Sequence, residues 1–387
     1  NYFMPCYNIN KAFYKYKRKE IINMRRLGIS IYPEKSDKET ILNYIDKTSK
    51  AGFSRIFSCL LSVEKSKEEI INDFKEINTY AKSKGFEIIV DVSPRVFNQL
   101  GISYQDLTFF KDIGADGLRL DMGFTGNEEA IMTFNPYDLK IEINMSNDVH
   151  TIDTIMDYKP NRYNLYACHN FYPHGYTGLG LEFFENCTKR FSKYGLRTAA
   201  FVTSQNKDTF GSWPVTEGLP TLEMHRHLPM DVQIKHFIAM DSIDDILISN
   251  CYPTDEEIDK VKGLDLSLLT LDVELYKDTP EIEQKILFEE LHFNRGDQNE
   301  NMIRSTQSRV KYKGHHFALF HAPEIIRRGD VIIESSEYGH YAGELQIALH
   351  DMKNSGKTNV VGHIRKEEHF LLDYIKPWQK FRLRKVK

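Results

Sequence analysis

The sequence predicts an α/β protein: a closed (β/α)8 barrel of eight strand–helix units followed by a smaller β-rich domain. Three observations carry this. Short β-type runs alternate with longer helical patterns eight times between Leu27 and about Pro253. No G-x-G-x-x-G follows the first run, which argues against a doubly wound nucleotide-binding sheet. Beyond about Leu271 the texture shifts to short strand-like runs separated by glycines.

The predicted strands, in order, are Leu27–Tyr32, Arg55–Leu60, Glu87–Ser93, Gly117–Met122, Lys140–Met145, Tyr163–His169, Arg197–Thr203 and Asp245–Asn250. Between them the clearest helix is Lys67–Lys84, where Ile70, Ile71, Phe74, Ile77, Tyr80 and Ala81 recur at helical spacing before Gly85. Asp37–Ala51 reads the same way, with Gly52 as its stop. After the barrel, a polar helix over Pro280–Leu291 leads into strand-like runs at Val310–Phe320, Val331–Ser335 and Thr358–Ile364. The basic tail, Lys380–Lys387, reads as a solvated terminus. Residues 1–23 lack the apolar centre of a secretory signal and read as an extension upstream of a start at Met24. The expected domains are therefore 24–270 and 271–387.

Composition narrows the function. The 387 residues are 41% hydrophobic and 27% charged, an ordinary globular balance. With 51 Lys+Arg against 55 Asp+Glu, nothing favours a nucleic-acid surface. Five cysteines without C-x-x-C spacing (Cys6, Cys59, Cys168, Cys187, Cys251) read as reduced thiols, pointing to the cytoplasm. No apolar stretch is long enough to span a membrane as a helix. Neither H-E-x-x-H nor a strand H-x-H occurs, so no metal or other cofactor is expected.

Chemistry in such barrels sits at the carboxyl ends of the strands. Strand alternation puts Arg119 with Asp121, Glu142 with Asn144, and Asp91 with Ser93 on the inner face. Three strands, the third, fourth and fifth, thus each deliver a carboxylate to one mouth. The structural reading is that Arg119 pairs one of them as an ion bridge; the catalytic reading is that Asp121 and Glu142 form the two-carboxylate arrangement of a glycosidase, with Asp91 and Glu217 in reserve. Which would be the acid stays open, as does retention against inversion. The loop His169–Gly175 supplies amide, imidazole and phenol groups in His169, Asn170 and Tyr172 for a polyhydroxylated or phosphorylated ligand. The long connection Ser204–Leu228 carries His225, Arg226 and His227, candidates to grip a phosphate or, equally, a helix-end charge cluster.

Several segments together resemble the bacterial 6-phospho-N-acetylmuramidases, a glycoside hydrolase family long labelled outer-surface-protein-like. They are LGISIYPE (Leu27–Glu34), RLDMGF (Arg119–Phe124), IEINMSN (Ile141–Asn147), HNFYPH (His169–His174), EGLPTLEMHR (Glu217–Arg226) and HFNRGDQNENMIRSTQSR (His292–Arg309). The resemblance implies a TIM barrel with a small cyclophilin-like β-barrel domain. It also implies a cytosolic enzyme that cleaves 6-phospho-N-acetylmuramic acid from N-acetylglucosamine, linked functionally to a phosphotransferase sugar transporter. A substrate with a phosphate and a lactyl carboxylate needs cationic donors, for which Arg119, Arg226, Arg304 and Arg309 are candidates; the last two could equally form an inter-domain ion pair. The alternatives are a sugar-phosphate isomerase or aldolase, for which the strands offer no convincing Schiff-base lysine, and a non-hydrolytic sugar-phosphate sensor.

Overall fold

The computed structural model describes residues 24–60 and 66–386; the expected extension, 1–23, lies outside the described residues. Eight parallel strands close a barrel in chain order: β1 (Arg26–Ile31), β2 (Arg55–Leu60), β3 (Glu87–Val92), β4 (Gly117–Leu120), β5 (Lys140–Asn144), β6 (Leu165–Cys168), β7 (Arg197–Val202) and β8 (Asp245–Ile248). Each predicted barrel strand is present, with ends trimmed by a few residues. At β6, Tyr163 and Asn164 instead form a short 3-10 turn, where the Asn161 side chain accepts the Tyr163 N–H.

Local signals explain the surrounding helices. Asp37 caps Lys38–Lys50 by accepting the Thr40 N–H at 2.9 Å, and Ile41, Tyr44 and Ile45 form its buried face. Ser66 and Glu69 make a reciprocal capping box for Lys67–Ser83, which buries Ile70, Phe74, Ile77 and Ala81. Both helices stop before glycines at positive φ, Gly52 and Gly85.

The barrel floor holds a dry ion network. Arg55, side chain 1% exposed, bridges Glu142 and Asp245, both fully buried. Asp245 also takes Arg26 at 2.8 Å and Arg197 at 2.6 Å. Three guanidiniums around Asp245 hold its carboxyl far below the usual carboxylate range despite burial. Gly28 makes room for this crossing: a Cβ there would meet the Arg55 backbone oxygen at 2.8 Å and Leu247 at 2.3 Å.

Compact grouping divides the described residues into two units: those within 24–227 with 242–267, and those within 228–241 with 268–386. The expected cut at Thr270 falls inside β9 (Leu269–Leu275), and one helix of the β7–β8 connection, Met230–Met240, belongs by its contacts to the second unit. The other strands of that unit are β10 (His292–Phe293), β11 (Met302–Ser305), β12 (Ile325–Ile326), β13 (Asp330–Glu334), β14 (Leu345–Ala348), β15 (Met352–Lys353), β16 (Thr358–Ile364) and β17 (Lys380–Lys385). Seven form one sheet in the order β10-β17-β9-β16-β13-β14-β11, while β12 and β15 pair separately. Arg295 N–H donates to Arg304 C=O at 3.0 Å beside the two edge strands, so the sheet nearly closes into a small barrel.

Two expectations need correction here. Val310–Phe320 is not a strand: Gln307–Lys311 is a short helix, and Val310 is exposed. The Asn359 side chain substitutes for a ladder, accepting from Phe320 N–H (3.0 Å) and His321 N–H (3.2 Å) and donating to Ala318 C=O (2.9 Å). Nor is the basic tail a solvated end: β17 buries Phe381 and Leu383 and runs parallel to β9.

Candidate active site

At the carboxyl ends of β3 and β4 the structure gathers two carboxylates around one guanidinium. Arg119 Nη1 lies 2.7 Å from Asp91 Oδ1 and 3.4 Å from Asp121 Oδ1, and its Nη2 donates to Asn170 Oδ1. The two carboxylate oxygens can therefore be no further apart than those two lengths laid end to end. Arg119 is buried, whereas the Asp121 side chain is 48% exposed and Asp91 lies between, at 20%. Cys59, one strand back, donates its S–H to Asp91 Oδ2 at 3.6 Å. Desolvation raises the Asp91 pKa above the ordinary value, opposed by Arg119, so Asp91 is the carboxyl here with a tendency to retain its proton.

Neighbouring loops brace this group. Asn144 donates to the Asp121 carbonyl at 3.1 Å, and its own side-chain oxygen accepts the Ser146 N–H. Ser146 Oγ takes the Asn170 N–H at 2.7 Å, while Thr221 Oγ1 donates to the Asn170 carbonyl at 2.8 Å. Tyr172 is half-buried beside them. Glu217 reaches the loop rim, 59% exposed, accepting the Gly175 N–H at 2.6 Å.

Four predicted site residues of the barrel have other roles. Glu142 does not join Asp121. Hydrogen-bonded partners run from Asp91 to Arg119 to Glu142 to Tyr166, descending the tilted barrel, so Glu142 ends in the floor network with Arg55 and the neighbour of Asp121 on β5 is Asn144. His169 has no exposed surface; it bridges Ser146 Oγ (3.1 Å) and Thr188 Oγ1 (2.9 Å), and burial lowers its pKa to about 3, which keeps it neutral. Arg226 is 4% exposed and already committed: Glu223 takes Nε and Nη2, and the carbonyls of Tyr172, Glu217 and Gly218 take Nη1. It fixes two rim loops. His225, next to it, is fully buried.

Glu223 does not stand out in the sequence, yet it organises the rim, accepting Tyr176 N–H (2.9 Å) and Gly178 N–H (2.7 Å) as well as Arg226. Its three-residue spacing from Arg226 on one turn is the available signal. Cys59 has none beyond its inward parity with Phe57. In the second unit, Arg304 and Arg309 converge on buried Glu344 at 2.7 and 2.9 Å. That unit also holds Asp231, Asp272 and Glu368 close enough to ligate a cation. The buried ammonium of Lys235, 3.0 Å from Asp272 and paired to Glu368, already supplies the charge.

A parallel eight-stranded barrel whose carboxyl-end rim holds two acids around an arginine places the chain in the TIM-barrel class. Residues 27–263 match the family described as 6-phospho-N-acetylmuramidase, N-terminal, and residues 269–384 the corresponding C-terminal family. The chain belongs to the 6-phospho-N-acetylmuramidase family, a family of glycosidases. Among solved structures, an uncharacterized B. cereus protein is 45% identical with a TM-score of 0.87, the match covering 94% of this chain and 100% of that one. A conserved Enterococcus faecalis protein of unknown function is 25% identical with a TM-score of 0.69, over 93% and 96%. No curated protein matches the chain. Among the described residues no helix is long and apolar enough to cross a membrane.

Proposed function

We propose that this chain hydrolyses the disaccharide of 6-phospho-N-acetylmuramic acid linked β-1,4 to N-acetylglucosamine, releasing the two sugars during cytoplasmic recovery of cell-wall material. Family membership supports the reaction; the single structural observation that carries it is the pair of acids, Asp91 and Asp121, sharing Arg119 at the barrel mouth.

In this reading Asp91 is the general acid. Burial favours its protonated form, and protonating the leaving O4 oxygen of N-acetylglucosamine requires a carboxyl that still has its proton. Asp121, the more exposed partner, supports the opposite side of the reaction, by attacking the anomeric carbon or orienting the substrate's own acetamido oxygen to do so. Water then adds to that carbon, and the proton it sheds returns to Asp91. Arg119 keeps Asp91 from drifting and, with Asn170, fixes where the sugar hydroxyls dock.

The test is incubation of purified protein with the phosphorylated disaccharide, following N-acetylglucosamine. Release supports the hydrolase; binding of the intact disaccharide without release favours a sensor and overturns it.

A further inference from the structure

The second unit carries a cluster of buried charge of its own. Arg304 on β11 pairs across the sheet with Gln346 on β14. Glu344, with no exposed surface, accepts from Arg304 Nε at 2.7 Å and from Gln346 Nε2 at 3.1 Å. Arg309, from the short helix Gln307–Lys311, brings Nη1 to 2.9 Å from the other oxygen, Oε2. Two guanidiniums thus face one carboxylate. The nearby Arg295 and Asp297 neutralise each other through a two-pronged pair, both contacts at 2.6 Å. The remaining acid, Glu334, is tied to Thr358 Oγ1 at 2.7 Å and is pushed up to about 7 by burial, so at neutral pH it offsets the surplus positive charge only in part.

The hydrogen bonding of this cluster is incomplete. Gln346 Oε1 is buried and completes no hydrogen bond among the described residues, while Arg309 Nη1 and Glu344 Oε2, also buried, meet only as an ion pair without hydrogen-bond geometry. Glu344 and Gln346 are each more than nine-tenths buried. Buried polar atoms normally find partners, and the unused acceptor Gln346 Oε1, beside two guanidiniums that share one carboxylate, is the complement of a ligand that both accepts and donates. The Tyr341 ring lies 5.3 Å from the Arg309 guanidinium carbon and 5.9 Å from that of Arg304, with 43% of the residue open to solvent.

We propose that this cluster is an oxyanion-binding site of the second unit that takes a small hydroxylated anion. Its phosphate or carboxylate sits on Arg304 and Arg309, its hydroxyl or amide N–H groups donate to Glu344 Oε2 and Gln346 Oε1, and a ring face lies against Tyr341. Sugar phosphates and sugar acids have this chemistry.

The test is calorimetric titration of the full chain with N-acetylmuramic acid 6-phosphate, with inorganic phosphate and D-lactate as competitors. Arg309→Gln leaves Glu344 paired to Arg304, and Gln346→Leu removes the neutral acceptor. Each is expected to weaken the sugar phosphate about tenfold or more while melting within a few degrees of the unmodified protein. Competition by phosphate identifies the phosphate as the group held, and competition by lactate the carboxylate. Hydrogen exchange on the unmodified protein serves if a variant fails to fold: ligand protection of residues 336–346 is expected. Unchanged affinity in both folded variants, or protection confined to barrel segments, overturns the site. Neither readout needs hydrolysis, so this proposal and the hydrolase reading fail separately.

Discussion

Asp91 and Asp121 differ in what surrounds them, and their variants should differ accordingly. Replacing either by its amide is expected to lower turnover by about 100-fold or more, the scale of lost acid–base help. Asp91→Asn should in addition remove the acid-form limb of the pH–rate profile, because the raised Asp91 pKa sets the pH above which the proton donor is lost. A profile unchanged in shape in that variant contradicts the assignment. A second residue-level prediction concerns Glu334. Held at about 7 against an ordinary 4.5, it keeps its proton in the folded chain after the unfolded chain has lost it. Its contribution to stability is therefore full below about pH 4.5 and declines as pH rises toward 7, on the order of 3 kcal/mol. Denaturant titrations at pH 5 and pH 8 should show Glu334→Gln losing less stability between the two than the unmodified protein. Much of the residue-scale site is legible in the sequence: parity alone places Asp91, Arg119 and Asp121 inside. Depth is not, because alternation tells which face a side chain takes but not its height in a tilted, staggered barrel. Glu142 therefore looks like a partner of Asp121 in the sequence, although it lies in the floor.

At the scale of elements, the floor network explains why β2, β7 and β8 begin with charged residues. Arg55, Arg197 and Asp245 start their strands and all belong to it. Glu142→Gln breaks a buried pair and is expected to cost about 3 kcal/mol in denaturant titration, with the folded fraction retaining turnover within about tenfold of the unmodified protein. A 100-fold loss of turnover at unchanged stability would return Glu142 to the chemistry. The eight barrel strands are readable because each is apolar on its outer face and bounded by a turn. In the second unit β17 is hidden by its composition: KFRLRK alternates properly, yet its four basic residues suggest a solvated end, and only pairing with β9 and β10 shows which face is buried. The run Val310–Phe320 misleads in the opposite direction, apolar enough for a strand but satisfied by one asparagine side chain.

For the whole molecule, the discontinuous second unit has a direct consequence. Lys235, on the helix Met230–Met240, is 1% exposed and finds its partners in Asp272 and Glu368, while Asp231 of the same helix pairs with Arg365 at 2.9 Å. A fragment ending at Thr270 keeps Lys235 and Asp231 but loses all three partners. It is expected to lack a cooperative melting transition, since an unpaired buried charge costs several kcal/mol. A fragment that melts cooperatively and turns over substrate would refute that coupling. No linear reading exposes this arrangement, because the helix lies between β7 and β8 in sequence and two of its three partners lie more than a hundred residues later.

The proposed chemistry turns on the acids at the mouth of the barrel. A crystal structure of the Asp121→Asn variant with the intact phosphorylated disaccharide tests it most directly. The glycosidic oxygen is predicted within hydrogen-bond reach of Asp91, with the substituted amide at position 121 on the far side of the anomeric carbon; a disaccharide whose scissile bond lies against other carboxylates, away from Arg119, would contradict it.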